Sequence, residues 1–265
     1  MAKPDFAFVN VPVPAALAKY VEGIVGFTEY GAAPVVRSES ATLTIPLILV
    51  LGRGYTYHQS PTDVVDRDLG SSFVAGVHQK PAHIGTDGWS TCIQINLTVI
   101  GAFKLLRCHM ADLANEVADL ADVIGPVARE LEGRLIELND WSTRFQTTLS
   151  FLQAHILDGP SVNPYVEHAL SLVQATNGDI RVQDITKEVG CSRKHLTNLF
   201  ARAVGVSPKQ VLRIARFEFA LGLLQSPSDG IADIAAQAGY VDQSHLHHDV
   251  LAFTGSTPGS LIHSP

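Results

Sequence analysis

The period of the hydrophobic positions changes along the chain. Between Thr91 and Val99, Ile93, Ile95, Leu97 and Val99 alternate with Cys92, Gln94, Asn96 and Thr98. A period of two places the apolar set on one face of a strand. That face packs on a core, and the polar face meets either solvent or a polar cavity inside a small barrel. Short β-branched runs separated by turn signals such as Leu51-Gly-Arg-Gly54 and Gly85-Thr-Asp-Gly88 make the first hundred residues β-rich. From Gly101 the period is helical: Leu113, Val117, Leu120 and Ile124, then Val127, Leu131 and Leu135, then Trp141, Phe145, Leu149, Leu152 and Ile156. Pro126 suits a first helical turn and Asp140 suits a helix cap. Asp158-Gly-Pro-Ser161 reads as a linker.

Beyond that linker one pattern occurs twice. Val182, Ile185 and Val189 form the inward stripe of a short helix, Gly190 turns the chain, and Ser192 caps a second helix anchored by Leu196, Leu199, Phe200 and Ala203. The second copy runs from Ile231 through Gly239 to Leu246. Ser207-Pro208 opens a joining helix expected to reach about Gln225, roughly 25 Å at 1.5 Å per residue. Two such units about one DNA turn apart, on the order of 34 Å, would reach successive major-groove segments. The expected organisation is therefore α+β in two domains. Residues 1–158 form a β-rich, barrel-like domain with helices after about 101; residues 159–265 form an all-α domain with helix-turn-helix units over about 181–204 and 231–253 joined by a helix over about 208–225.

Composition adds little until charge is counted locally. The chain has 265 residues, is 46% apolar and 17% charged, and carries a net −7, which argues against a nonspecific nucleic-acid coat. From Arg181 to Arg216, however, eight basic residues face two acids, and from Phe217 onward there is no Lys or Arg against five acids, Glu218, Asp229, Asp233, Asp242 and Asp249. The first copy suits a phosphate backbone; the second does not. The N-terminus lacks a signal-like pattern and the aliphatic run Ile45 to Leu51 is too short for a bilayer, so a cytoplasmic protein without membrane association is expected. Cys92, Cys108 and Cys191 are isolated and odd in number, which favours reduced thiols over disulfides or zinc.

The segment from about Asn163 to Pro265 resembles the AraC/XylS family of bacterial transcription regulators. The marks are the two Ile-x-x-Ile-Ala/Thr-x-x-x-Gly units, Gly205-Val-Ser-Pro208, and Gly239-Tyr-Val-Asp-Gln-Ser-His-Leu246 followed by Phe253-Thr-Gly-Ser-Thr-Pro258. The resemblance implies double-stranded DNA as partner, with base-facing positions at Lys194, Thr197 and Asn198 and at Gln243, Ser244, His247 and His248. Lys194, Thr197 and Asn198 also share one exposed helix face, while Arg193, Arg202 and Lys209 are expected on phosphates. The chain departs from the family where His248, Val250, Leu251 and Ala252 stand in place of a usual Arg, Phe and basic residues. His245, His247 and His248 are expected on DNA or solvent rather than on a metal.

Ser72-Phe-Val-Ala-Gly76, Leu120-Ala-Asp-Val-Ile-Gly125 and Asn139-Asp-Trp-Ser-Thr-Arg-Phe145 resemble the β-rich sensor domains attached to some of these regulators. Such domains bind a small effector or mediate dimerisation. Candidate pocket residues are Tyr55, Tyr57, Phe73, His78, Trp89, Gln94 and Asn96, because aromatic walls with a few polar points suit small molecules. Ordinary core and strand-face roles are the competing reading. His58, His78 and His83 lack the His-x-His spacing of a cupin-like metal site, and no Gly-x-Ser-x-Gly, phosphate-loop or His-Glu-x-x-His motif is present. No catalytic residue, metal or cofactor is assigned. Three readings stay open: an effector-responsive transcription factor, a small-molecule-binding or catalytic β-barrel with a weak DNA reader, and an N-terminal half that chiefly dimerises through the helix Asp140 to Leu157.

A reader that presents imidazoles in place of Lys and Arg gains charge only on mild acidification. DNA affinity at fixed salt should therefore rise more steeply from about pH 8 to about pH 6 than for a Lys/Arg-based reader; a flat profile in gel shifts across that range would remove His247 and His248 from the interface.

Overall fold

The computed structural model describes residues 5–58, 60–61, 67–225 and 230–262; Asp229 lies outside them. Among the described residues ten strands run as β1 (Asp5–Val11), β2 (Val21–Tyr30), β3 (Val35–Glu39), β4 (Ile45–Val50), β5 (Tyr55–His58), β6 (Arg67–Leu69), β7 (Phe73–Ala75), β8 (Ala82–Thr86), β9 (Trp89–Leu97) and β10 (Val117–Asp119). They form two antiparallel sheets, one in the order β1-β2-β9-β4-β7-β10 and one in the order β3-β8-β5-β6. β9 lies inside the larger sheet, with Ile95 opposite both Ile24 and Leu47.

Alternation on β9 sorts two cores. Ile93, Ile95 and Leu97 are fully buried in the same core as Phe145, Leu152 and Ile156 of the helical layer. Cys92 faces the other way, into a smaller apolar cluster with Ile48, Val50, Tyr55 and Phe73 between the sheets. The polar face of β9 therefore meets an inter-sheet cleft. The barrel-like closure expected from the sequence is corrected: among the described residues the strands leave two separate sheets.

The helices are α1 (Val99–Leu106), α2 (Leu120–Ile124), α3 (Pro126–Glu137), α4 (Trp141–Leu157), α5 (Pro164–Ala175), α6 (Val182–Val189), α7 (Arg193–Ala203), α8 (Pro208–Gln225), α9 (Ile231–Gln237), α10 (Gln243–Thr254) and α11 (Pro258–Ile262), with a 3-10 turn at Met110–Leu113. Pro126 opens α3, and the Asp140 carboxylate caps α4 by accepting from the Thr143 amide. Trp141 and Phe145 stack on each other and lie on β2 at Gly26, where a side chain would come within 2.6 Å of the Trp141 ring. The buried stripe of α4 thus packs on its own sheet, which removes it as a surface for pairing two copies. None of the described helices is long and apolar enough to cross a membrane.

One core runs from Leu17 in the β-rich half to Phe253 in the helical half. Lys104 donates to the carbonyls of Gly159 and Pro160, so the segment between the halves is held down. The Ala41 amide donates to the Phe253 carbonyl at 3.0 Å. Glu218 on α8 accepts from the Thr42 hydroxyl at 2.5 Å and from the Leu43 amide at 2.9 Å. Ser207 and Gln210 form a reciprocal cap on α8, and the Gln210 amide also reaches Gln79.

Burial pushes the Glu218 carboxyl above its ordinary value, against the lowering effect of Thr42 and Leu43. A raised folded value means that the ionised form is disfavoured by folding, so stability is greatest at low pH and is lost as pH rises through the folded value. Glu218→Gln keeps the accepting oxygen and removes the charge. Urea unfolding at about pH 7 should find it more stable than the parent, with the difference closing near pH 4, whereas Glu218→Ala should lose about 1–3 kcal/mol at both. A less stable Glu218→Gln at neutral pH would show that the charge itself holds the seam.

Candidate nucleic-acid interface and effector cleft

The first helix-turn-helix is built from local signals. Ile185 and Val189 bury one face of α6, and Gly190 ends it at φ 75°, a left-handed conformation that glycine adopts without strain. The Ser192 hydroxyl caps α7 by accepting from the His195 amide at 3.2 Å. Leu196, Phe200 and Ala203 anchor the helix, leaving Arg193, Lys194, Asn198 and Arg202 exposed and Thr197 half-buried. Spacings of three and four put Lys194, Thr197 and Asn198 on one face. Thr197 donates its hydroxyl proton to the Arg193 carbonyl, so outward it offers an acceptor. Arg202 lies in a crevice with Arg107, His109 and Asp158 of the N-terminal half, and Lys209 is exposed at the start of α8.

The second copy repeats the geometry with different chemistry. Gly239 takes φ 72°, and a side chain there would meet Asp179 at 2.5 Å. Asp242 caps α10 by accepting from the His245 amide at 2.8 Å. Leu246, Asp249, Val250 and Phe253 are buried, and Gln243, Ser244, His247 and His248 are exposed. His245 sits edge-on against Tyr240 with centroids 5.1 Å apart, as His195 does against Tyr165. Among the described residues no three His, Cys, Asp or Glu side chains are arranged to hold a metal.

The structure revises the positive count of the first copy. Arg213 points into the second unit, pairing with the buried Asp249 at 2.8 Å and lying 4.5 Å from the Phe253 ring centroid. Arg216 lies over the Tyr240 ring and reaches the Gly239 carbonyl. These two cations bind the second unit to α8 and do not face outward with Arg193 and Lys194. Burial also pushes the Tyr240 hydroxyl above its ordinary value. Reading the sequence for exposed charge missed this pair, although Asp249 falls on the inward spacing of Leu246, Val250 and Phe253.

Between the sheets lies a cleft of about 760 Å³. Tyr55, Phe73, His78, Gln94 and Asn96 line it. Tyr57 packs at the edge of the inter-sheet core instead. Trp89 is exposed at the end of β9 against Tyr30, with Arg53 over its ring. Its parity matches Ile93 and Ile95, the face away from Gln94. The Tyr55 hydroxyl contacts the Cys92 sulfur at 3.2 Å, and burial pushes the Cys92 thiol up to about 11, which keeps it protonated. Gln94 donates to Asn96 at 2.9 Å on the cleft wall.

Residues 185–263 match the family described as "Helix-turn-helix domain". These residues form a helix-turn-helix domain. The chain is 38% identical over 82 residues to the lactose operon transcription activator of Staphylococcus xylosus, covering 31% of this chain and 29% of that protein. It is 26% identical over 99 residues to the Msm operon regulatory protein of Streptococcus mutans, covering 37% and 36%. The chain thus spans about a third of the length of these curated relatives. An apo ToxT variant from Vibrio cholerae shares the fold of the whole, with a TM-score of 0.51 at 11% identity over 92% of this chain and 97% of that one.

Breaking a buried ion pair by removing one partner strands the other charge. Arg213→Met should cost about 3 kcal/mol in urea unfolding, and adding Asp249→Leu should restore most of it. A single substitution costing under about 0.5 kcal/mol would show that Asp249 does not depend on Arg213.

Proposed function

We propose that this chain is a sequence-specific DNA-binding transcriptional regulator, cytoplasmic and non-enzymatic, whose N-terminal half responds to a small-molecule effector. The observation that carries the reading is the pair of capped helices, α7 and α10, each packed on a short partner helix, α6 or α9, through that helix's buried stripe, and each presenting a polar face. A helix so fixed can enter the major groove and read base edges. Lys194, Thr197 and Asn198 are the base readers of α7, and Gln243, Ser244, His247 and His248 those of α10. Arg193, Arg202 and Lys209 hold phosphates. The effector lies in the inter-sheet cleft against Tyr55, Phe73, His78, Gln94 and Asn96. A second copy of the chain is a further partner, seated elsewhere than on the buried stripe of α4.

The readers divide the labour by charge. α7 exposes three cations and α10 exposes none, so the first supplies the salt-dependent affinity and the second short-range selection. In gel shifts with the upstream regions of its own and neighbouring genes, Lys194→Ala should lose about 1–3 kcal/mol of binding and flatten the salt dependence. Gln243→Ala should lose less. The reverse order would reject this division, and failure of the parent chain to shift any fragment at low salt would reject the regulator reading.

A further inference from the structure

The cleft is walled by apolar side chains, among them Phe8, Phe27, Ile48 and Phe73. Its charged lining is unusual for a site that would receive an acid. The only cation among the described lining residues is Arg37. Its guanidinium is already paired at 3.1 Å with Glu29, a carboxylate with no solvent exposure. Among the described residues Glu29 has one other partner, the Thr86 hydroxyl at 3.3 Å. A guest anion that drew Arg37 away would leave a buried carboxylate without its counter-charge, the costly outcome for such a pair. Glu39 also lines the cleft, so Arg37, Glu29 and Glu39 together carry a formal −1.

The remaining polar points are neutral. His78 holds the Gly76 carbonyl through Nδ1 at 2.8 Å. A carbonyl only accepts, so the proton sits on Nδ1 and Nε2 is an acceptor. That Nε2 is buried and has no partner among the described residues. Burial lowers the His78 value below that of an ordinary imidazole, which keeps the ring uncharged at neutral pH. Gln94 and Asn96 bond to each other through one amide hydrogen and one oxygen, and each retains capacity for a guest.

We infer that the cleft takes an uncharged, largely apolar molecule bearing a hydroxyl or similar neutral polar group, and discriminates against carboxylates and phosphates of the same shape. The inference rests on the effector reading above and names the class of effector. The hydrocarbon part lies along the phenylalanine wall, and the polar group is met by His78 Nε2 or by the Gln94–Asn96 pair. The Arg37–Glu29 pair closes the site to anions because its positive charge is neutralised internally.

The test uses the full chain and a neutral fluorophore, N-phenyl-1-naphthylamine, displaced in turn by 1-dodecanol and by dodecanoate at about pH 8, where the acid is ionised. The fluorophore should bind, Ala75→Trp should abolish its binding by filling the cleft, and dodecanol should displace it at a concentration at least about tenfold below that of dodecanoate. Glu29→Gln frees Arg37 and should narrow that ratio. If the variant does not melt cooperatively, the comparison of alcohol with acid in the parent chain still decides the matter. Dodecanoate displacing as well as dodecanol overturns the neutral-guest inference and leaves the effector reading standing. If neither the fluorophore nor any competitor binds a cooperatively melting parent chain, both fall.

Discussion

The packing of α8 against α5, α7, α9, α10 and α11 at once is the constraint on which the rest depends. Ile214, Phe217, Ala220 and Leu224 are fully buried along it, so the helix cannot rotate without opening the core. Its polar side chains are then committed by position: Gln210 to Gln79, Arg213 to Asp249, Arg216 to Tyr240 and Gly239, and Glu218 to Thr42 and Leu43. Each of those contacts costs little entropy because the backbone is already fixed by apolar burial. A joining helix read from sequence as a spacer is in fact the element to which both the cleft and the second reader are bolted.

That placement joins the cleft to the helical half through short covalent paths. Thr42 lines the cleft and donates to Glu218, and the preceding residue, Ala41, donates to the Phe253 carbonyl at the end of α10. On the opposite side His78 lines the cleft and its neighbour Gln79 meets Gln210. A guest in the cleft therefore touches residues whose own or adjacent groups hold α8 and α10. A ligand shifts an equilibrium only by its differential affinity for two states, and these residues are where such a difference can arise without any long chain of intermediates.

How much of this was legible depends on how local each signal is. The turns at Gly190 and Gly239 and the caps at Ser192, Asp242 and Asp140 are encoded within four residues, so the helical elements could be read from their own sequence. Sheet order is not local. Ile24 lies beside Ile95, and β7 and β10 have three residues each, too few to show a period. Nothing in either segment distinguishes a closed barrel from two facing sheets. Trp89 is a different case: the alternation on β9 already put it opposite to Gln94 and Asn96, and aromatic character outweighed parity in choosing it. Asp249 likewise occupies an apolar spacing, which marks a buried charge in need of a partner, but the partner lies 36 residues away on α8.

The same burial explains why the two readers differ although their backbones repeat. In α7 the inward stripe is wholly apolar, with Leu196, Phe200 and Ala203, so every cation of that unit stays outside and adds to its field. In α10 the stripe contains Asp249, and folding then draws Arg213 inward to neutralise it, with Arg216 laid across Tyr240 beside it. The cations nearest the second unit are thus consumed in holding it to α8. On the proposed function the second helix must read by hydrogen bonds at contact distance, since neither its own sequence nor the arginines packed beneath it project positive charge toward a phosphate backbone. On the same proposal electrostatic approach belongs to α7, and α10 follows because α8 fixes its position.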